Sequence, residues 1–217
     1  MTAILFDLDG TLVDTAPDMA AALNHLLVEE GLSALPLEII RPHVSRGGLA
    51  LTQLGFQAHR PEHEIEPLRL RFLDRYFNNI AEHSALFAGY DEILKRFEDN
   101  GIPWGVVTNK PGWLTDPLMQ QLGLAGRSAV TISGDTTAER KPHPLPLQTA
   151  ARHIGKACAD CLYIGDDPRD IQAGNAAGMT TVAARYGYIT EPDTIDDWQA
   201  QFTIDRPGDI LALINMQ

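Results

Sequence analysis

The feature that most restricts the fold of this chain is an alternation that starts at Gly89 and runs to the C-terminal end. A helix-length segment carrying Tyr90, Ile93, Leu94 and Phe97 stops at Gly101, and the strand-like run "PWGVVTN" follows it. A helix through Trp113 to Leu122 precedes "AVTISG", one from Pro146 to about His153 precedes "CLYIGD", and one from Pro168 to Ala177 precedes "TTVAAR". A short strand and a helix over Ile210 to Ile214 close the chain. Strands alternating with helices of this length predict an α/β fold: a parallel, doubly wound, Rossmann-like sheet with helices on both faces. "TAILFDLDG" at the start adds one more buried strand, apolar from Ala3 to Phe6 and ended by Gly10.

Between that first strand and Gly89 the pattern is different. Pro17 suits a first helical turn, Met19, Leu23, Leu26 and Leu27 keep a helical spacing, and Gly31 is a natural stop. "GGLALTQLGF" reads as a short helix, and Ile65, Leu68, Phe72, Tyr76 and Ile80 mark a longer one. The expected division is therefore an α/β core from residues 1–15 and 83–217, with a helical cap over 16–82 inserted after the first strand. An insert at this point lies where open parallel sheets bind ligands, beyond the carboxyl ends of their strands.

Composition narrows the partners. The chain of 217 residues has 29 acidic against 17 basic side chains, a net charge of -12, so no electrostatic footprint for nucleic acid is present. No run approaches the roughly 20 apolar residues of a membrane span, and Met1 leads straight into a strand without a basic region or cleavage site. A cytoplasmic protein, monomeric or weakly dimeric, is expected. Cys158 and Cys161 form a lone C-x-x-C that lacks the second pair of a zinc site and precedes a strand, so they are expected to be ordinary structural residues.

Four polar signals fall at or after the predicted C-terminal ends of separate strands: "DLDGT" from Asp7, "VTNK" from Val107, "RKPHP" around Lys141 and "GDDPRD" from Gly165. A parallel sheet brings all four to one edge. Asp7 and Asp9 lie two apart, so in extended backbone their side chains leave on the same side. With Asp166 and Asp167 they would crowd carboxylates into one crevice, which raises their pKa values unless a cation intervenes. Oxygen ligands and room for phosphate suit Mg2+. Thr108 and Asn109 can donate from a strand end to an oxyanion, and Lys141, held extended by Pro142, can neutralise carboxylate and phosphate. Bland alternatives stand beside these readings: an Asp-Gly turn, a polar strand end, a solvated loop lysine. Asp167, Pro168 and Asp170 also read as a capped helix start.

Together the D-x-D-G-T box, the Thr of a second strand, the Lys-Pro loop and the G-D-D-x-x-D box resemble the haloacid dehalogenase superfamily, in its phosphatase branch with a helical cap after the first motif. The resemblance covers essentially the whole chain. It implies a Mg2+-dependent phosphate monoester hydrolase in which Asp7 is the nucleophile and Asp9 the general acid and base. It further implies that Thr108 with Asn109 holds phosphoryl oxygens, that Lys141 balances charge, and that Asp7, the carbonyl of Asp9 and Asp166 bind the metal.

The stretches "WGVVTNKP", "MQQLGL" and "RYGYI" are similar to the phosphoglycolate phosphatase group, and more closely to bacterial N-acetylmuramic acid 6-phosphate phosphatases of peptidoglycan recycling. Both substrates join a phosphate to a carboxylate, and Arg46, beside two glycines in "VSRGGLA", is the insert residue expected to meet that carboxylate, with His43 and Ser45 flanking it. A solvated surface arginine is the alternative. A sugar phosphomutase would show the same motifs. A dehalogenase would need neither Asp9 nor Asp166, and in a receiver-like module the phosphorylated Asp would follow a later strand.

Overall fold

The computed structural model describes residues 3–190 and 192–214, leaving Met1, Thr2, Glu191 and the last three residues outside the description. Six parallel strands form one sheet: β1 (Ala3–Phe6), β4 (Trp104–Val107), β5 (Thr131–Ile132), β6 (Cys161–Gly165), β7 (Thr180–Ala184) and β8 (Phe202–Ile204), in the order β5-β4-β1-β6-β7-β8. The intervening β2 (Val13–Asp14) and β3 (Ala85–Leu86) pair only with each other, antiparallel. Counting the large sheet's strands alone, the order is that of a doubly wound dinucleotide-type fold, whose crevice opens where the strand order reverses. β1 is at that point, flanked by β4 and β6.

The expected α/β class is what the chain adopts, and the burial of β1 shows why. All four of its residues are buried. Ile4 and Phe6 point into one core with Tyr90, Leu94 and Phe97 of α5 (Tyr90–Asp99) and Leu118 of α6 (Gly112–Gln121). Ala3 and Leu5 point into the other, with Leu147 of α7 (Leu145–Ile154) and Ala173 of α8 (Pro168–Ala177). A strand covered on both faces reads as an unbroken apolar run, and each large aliphatic or aromatic side chain so buried contributes about 1.5–3 kcal/mol. The last helix (Ile210–Ile214) packs Ile210 onto the first of these cores.

Residues 16–78 are helical, in α1 (Ala16–Glu29), α2 (Leu37–Ile40), a 3-10 turn over Arg41–Arg46, α3 (Gly47–Phe56) and α4 (Glu62–Asn78). Leu23, Leu27, Phe56, Phe72 and Tyr76 fill the space between these helices, and that cluster is continuous with the Phe6 side of the sheet. The β2–β3 pair ties together the two places where the chain passes between sheet and helices. A two-residue strand has no periodicity, so it leaves no mark in the sequence. Arg46, read as part of a loop or helix start, ends the 3-10 turn and caps α3. Among the described residues no helix is long and apolar enough to cross a membrane. Cys158 and Cys161 are unbridged; Cys161 is core, with its thiol pushed up to about 11 by burial.

Candidate active site

β1 hands its last pairing to Asp7, whose N–H donates to Ile164 O at 2.8 Å, and there the chain leaves the sheet. It turns at Gly10, in the left-handed region at φ 84°, and closes the turn with Gly10 N–H on Val13 O at 3.0 Å. A Cβ at Gly10 would lie 2.2 Å from Asp166 Oδ2, and one at Gly187 would lie 2.2 Å from Asp166 Cβ, so backbone approaches Asp166 from two sides. Asp7 and Asp9 both line the same cleft, but this turn sends them to different cations.

Asp7 meets Lys141. The ammonium is 2.9 Å from Asp7 Oδ1 and 2.6 Å from Asp170 Oδ1, and it donates to the Tyr163 hydroxyl at 2.8 Å and to Val107 O at 3.0 Å. Its side chain is 2% exposed, which rules out the solvated loop lysine. Burial alone would lower its pKa, but Asp170 and Asp7 outweigh that and raise it. Asp9 meets Lys110 instead: the Lys110 ammonium donates to Asp9 Oδ1 at 2.8 Å and to the Tyr76 hydroxyl at 3.0 Å, while Thr15 Oγ1 donates to the same Asp9 oxygen.

The third group of acids comes from the loop after β6. Asp166 is buried, accepting from Thr11 Oγ1 at 2.7 Å on Oδ1, and from Tyr188 N–H at 2.9 Å and Ser45 Oγ at 3.0 Å on Oδ2. Oxygens of Asp7, Asp166 and Asp170 lie within 4.8 Å of one another. Burial, then Asp170, pushes Asp7 up to about 7 against the opposing pull of Lys141. Burial, then Asp7 and Asp170, holds Asp166 well above the usual carboxylate range. Three buried carboxylates, only two of them paired with the Lys141 ammonium, are short of positive charge, and their hard oxygen atoms fit Mg2+. The Asp9 carboxylate is outside this group, so only its backbone carbonyl could join it.

The helix-start reading of "DDPRD" also holds. Asp167 accepts from Arg169 N–H at 2.9 Å and Asp170 accepts from Asp167 N–H at 3.1 Å, a reciprocal cap on α8. Asp167 is spent on Arg169, whose charge outweighs burial and lowers its pKa. Asp170 does two jobs, since its other oxygen receives Lys141.

Thr108 is buried at the end of β4, and its Oγ1 accepts from Lys110 N–H at 3.1 Å, leaving its own hydrogen free for a ligand. Asn109 Nδ2 donates to Lys141 O at 2.9 Å, so part of its donor capacity braces the lysine loop, and its Oδ1 is buried without a partner. Arg46 is exposed, lines the cleft and donates to Thr190 Oγ1 at 2.9 Å. Ser45 lines the cleft and reaches Asp166, whereas His43 does not line it. Sequence reasoning missed Lys110, Tyr76, Thr11 and Tyr163. Lys110 stands inside the quoted "VTNK", but nothing local tells which acid it meets, and Tyr76 reads as one more apolar member of a helix.

The cleft has a volume of about 640 Å³ between the strand ends and the helices. A doubly wound sheet with paired acids, a lysine and a hydroxyl donor at the carboxyl end of its central strands defines an α/β enzyme built for chemistry on an anionic group. Residues 4–184 match the family described as haloacid dehalogenase-like hydrolase, and the chain belongs to that family as a phosphoric monoester hydrolase. It is 48% identical over 205 residues to the phosphoglycolate phosphatase of Xanthomonas campestris pv. campestris (strain 8004), covering 94% of this chain and 92% of that one. It is 43% identical over 215 residues to the N-acetylmuramic acid 6-phosphate phosphatase of Pseudomonas putida, covering 99% and 96%. Among solved structures, a predicted phosphoglycolate phosphatase from Haemophilus somnus 129PT superposes with a TM-score of 0.87 at 29% identity, over 99% of this chain and 98% of that one.

Proposed function

We propose that the protein hydrolyses N-acetylmuramic acid 6-phosphate through a phosphoaspartate on Asp7, with Mg2+ at Asp7, Asp166 and the carbonyl of Asp9. The observation that carries the chemistry is the Asp7 carboxylate, buried at the edge of the central strand 2.9 Å from Lys141 and grouped with Asp166 and Asp170. In the first step an Asp7 oxygen attacks phosphorus, the bond from phosphorus to the ester oxygen breaks, and Asp9 gives that oxygen its proton. In the second, Asp9 takes a proton from water, the water oxygen attacks phosphorus, and Asp7 leaves with release of inorganic phosphate. Thr108, Lys141 and backbone N–H groups near Asn109 hold the phosphoryl oxygens, and bound Mg2+ would neutralise charge on them. Residues 16–82 act as the cap over a core of 1–15 and 83–217, and the β2–β3 pair at the two crossings supports that division.

For the substrate, the size of the cleft favours the sugar acid. A volume of about 640 Å³ suits a ligand much larger than a two-carbon acid. Met19, Val44, Leu49 and Leu73 give it an apolar wall, and Arg46, which also lines it, would meet the carboxylate. Phosphoglycolate is the second reading, favoured by the 48% identity to an enzyme named for it. Both esters, supplied at equal concentration with Mg2+, decide between them by their kcat/KM for phosphate release. Arg46→Ala should raise KM on the better one, and unchanged kinetics would remove Arg46 from the site. Transfer of the phosphoryl group to a sugar hydroxyl instead of water would replace the hydrolase reading with a mutase. Asp7→Asn should abolish turnover, and retained activity would overturn the assigned nucleophile.

A further inference from the structure

Lys110 is a buried cation that the reaction scheme leaves unused. Its ammonium is anchored at two points, Asp9 Oδ1 at 2.8 Å and the Tyr76 hydroxyl at 3.0 Å, and it lies 4.7 Å from the centre of the Tyr76 ring. Tyr76 belongs to α4 of the helical insert and is fully buried, whereas Lys110 follows β4 of the sheet. Asp9 Oδ1 thus takes hydrogen bonds from Lys110 and Thr15, and among the described residues Asp9 Oδ2 takes none. Two donors on one carboxyl oxygen leave the other as the one able to carry a proton. A lysine on a flexible four-carbon stem keeps a single position only where its ammonium is held from more than one side.

We infer that Lys110 and Tyr76 are positioning residues for proton transfer. The Tyr76 hydroxyl, carried by the insert, fixes the Lys110 ammonium on Asp9 Oδ1, and Asp9 Oδ2 is thereby kept for the leaving oxygen while the insert is seated on the core. The relation rests on the reading of Asp9 as proton donor. It links the helical segment to the chemistry through one hydroxyl, without any contact between Tyr76 and the substrate.

The test is single-turnover release of the alcohol from an alkyl phosphate and from p-nitrophenyl phosphate, in wild type, Tyr76→Phe, Lys110→Met and Asp9→Asn. An alkoxide needs its proton as the ester bond breaks, and p-nitrophenolate does not. Tyr76→Phe keeps the ring and its packing; it should slow the alkyl ester about tenfold, leave p-nitrophenyl phosphate within about twofold and hardly move KM for either. Lys110→Met should show the same selectivity, more strongly; where it fails to fold, Tyr76→Phe carries the test. Equal slowing of both esters by Tyr76→Phe, or slowing of neither, overturns the inference. Asp9→Asn separates the two failures. If Asp9→Asn slows both esters equally, Asp9 is not the proton donor and the inference falls with that reading; if it is selective and Tyr76→Phe is not, only Lys110 and Tyr76 are removed.

Discussion

Ser45 Oγ donates to Asp166 Oδ2 at 3.0 Å, a bond from the helical segment to a carboxylate of the candidate metal site, 121 residues further along the chain. Arg169 adds a second tie between the same places, donating to Ser45 O at 2.8 Å. The seating of the 3-10 turn over Arg41–Arg46 is therefore linked to the site's acids. Ser45→Ala removes one hydrogen bond to the Asp166 carboxyl group, which contributes about 0.5–1.5 kcal/mol. Amides 41–48 should then exchange hydrogen faster while those of β1 and β6 do not, and unchanged protection of 41–48 would show that the bond does not hold the turn.

The acids make metal-free stability depend on pH. The Asp7 carboxyl is raised from 3.8 to about 7, so between those values the folded protein keeps a proton that the unfolded chain has lost. The stability this group contributes is complete below its unfolded pKa and disappears as pH rises through about 7, and Asp166, also raised, acts in the same direction. One such proton gives a slope of at most about 1.4 kcal/mol per pH unit. Urea unfolding without metal should show stability falling from pH 5 to pH 8, with a flatter fall in Asp7→Asn. Mg2+ competes with the proton and should stabilise more at pH 8 than at pH 5; an equal effect at both would place the ion elsewhere.

Lys141 is the shared counter-charge of Asp7 and Asp170. Lys141→Met leaves both carboxylates buried without it, a change that costs about 3–5 kcal/mol when one partner of a buried pair is removed. Denaturation at pH 7 should register most of that loss, and lowering the pH should recover part of it as the carboxyls take up protons. A variant as stable as wild type at pH 7 would contradict the buried pair.

Gly10 is required by space as well as by its backbone conformation. In Gly10→Ala the new methyl group would sit 2.2 Å from Asp166 Oδ2 and 2.8 Å from the Tyr188 ring, and it would strain a backbone at φ 84°. Asp166, the Tyr188 ring or the turn itself must then give way. Mg2+ affinity measured by calorimetry should fall about 10- to 100-fold, as it does when a ligand's surroundings are disturbed. Wild-type affinity would remove Asp166 from the ligand set.

Much of this site was legible because its signals are local. Asp7, Thr108 and Asp166 each stand where an apolar run ends, Lys141 follows in the loop after another, and a parallel sheet puts all such ends on one edge. Asp167 and Asp170 were ambiguous between cap and catalysis for a sound reason: Asp170 does both, one oxygen on the Asp167 N–H and the other on Lys141. Asn109 was read as a phosphate donor from its position, and only the folded chain shows its amide turned to Lys141 O. Tyr76 was indistinguishable from its apolar neighbours because helical spacing reports that a residue is buried, not what its hydroxyl touches.

By itself the sequence determined the doubly wound core, the helical segment inserted after the first strand and the four clusters of polar residues, since all of these follow from periodicity and spacing along a few turns or one strand. Only the tertiary structure decided how the charges are shared: Lys141 to Asp7 and Asp170, Lys110 to Asp9, Ser45 to Asp166. Asp9 and Lys110 are 101 residues apart, and the turn at Gly10 that sends Asp9 away from Asp7 is shaped by packing against Asp166 and Tyr188. Two lysines and four acids admit many pairings of nearly equal local merit, and the pairing is chosen by where crossing elements place each side chain in a region too dry to leave a charge alone.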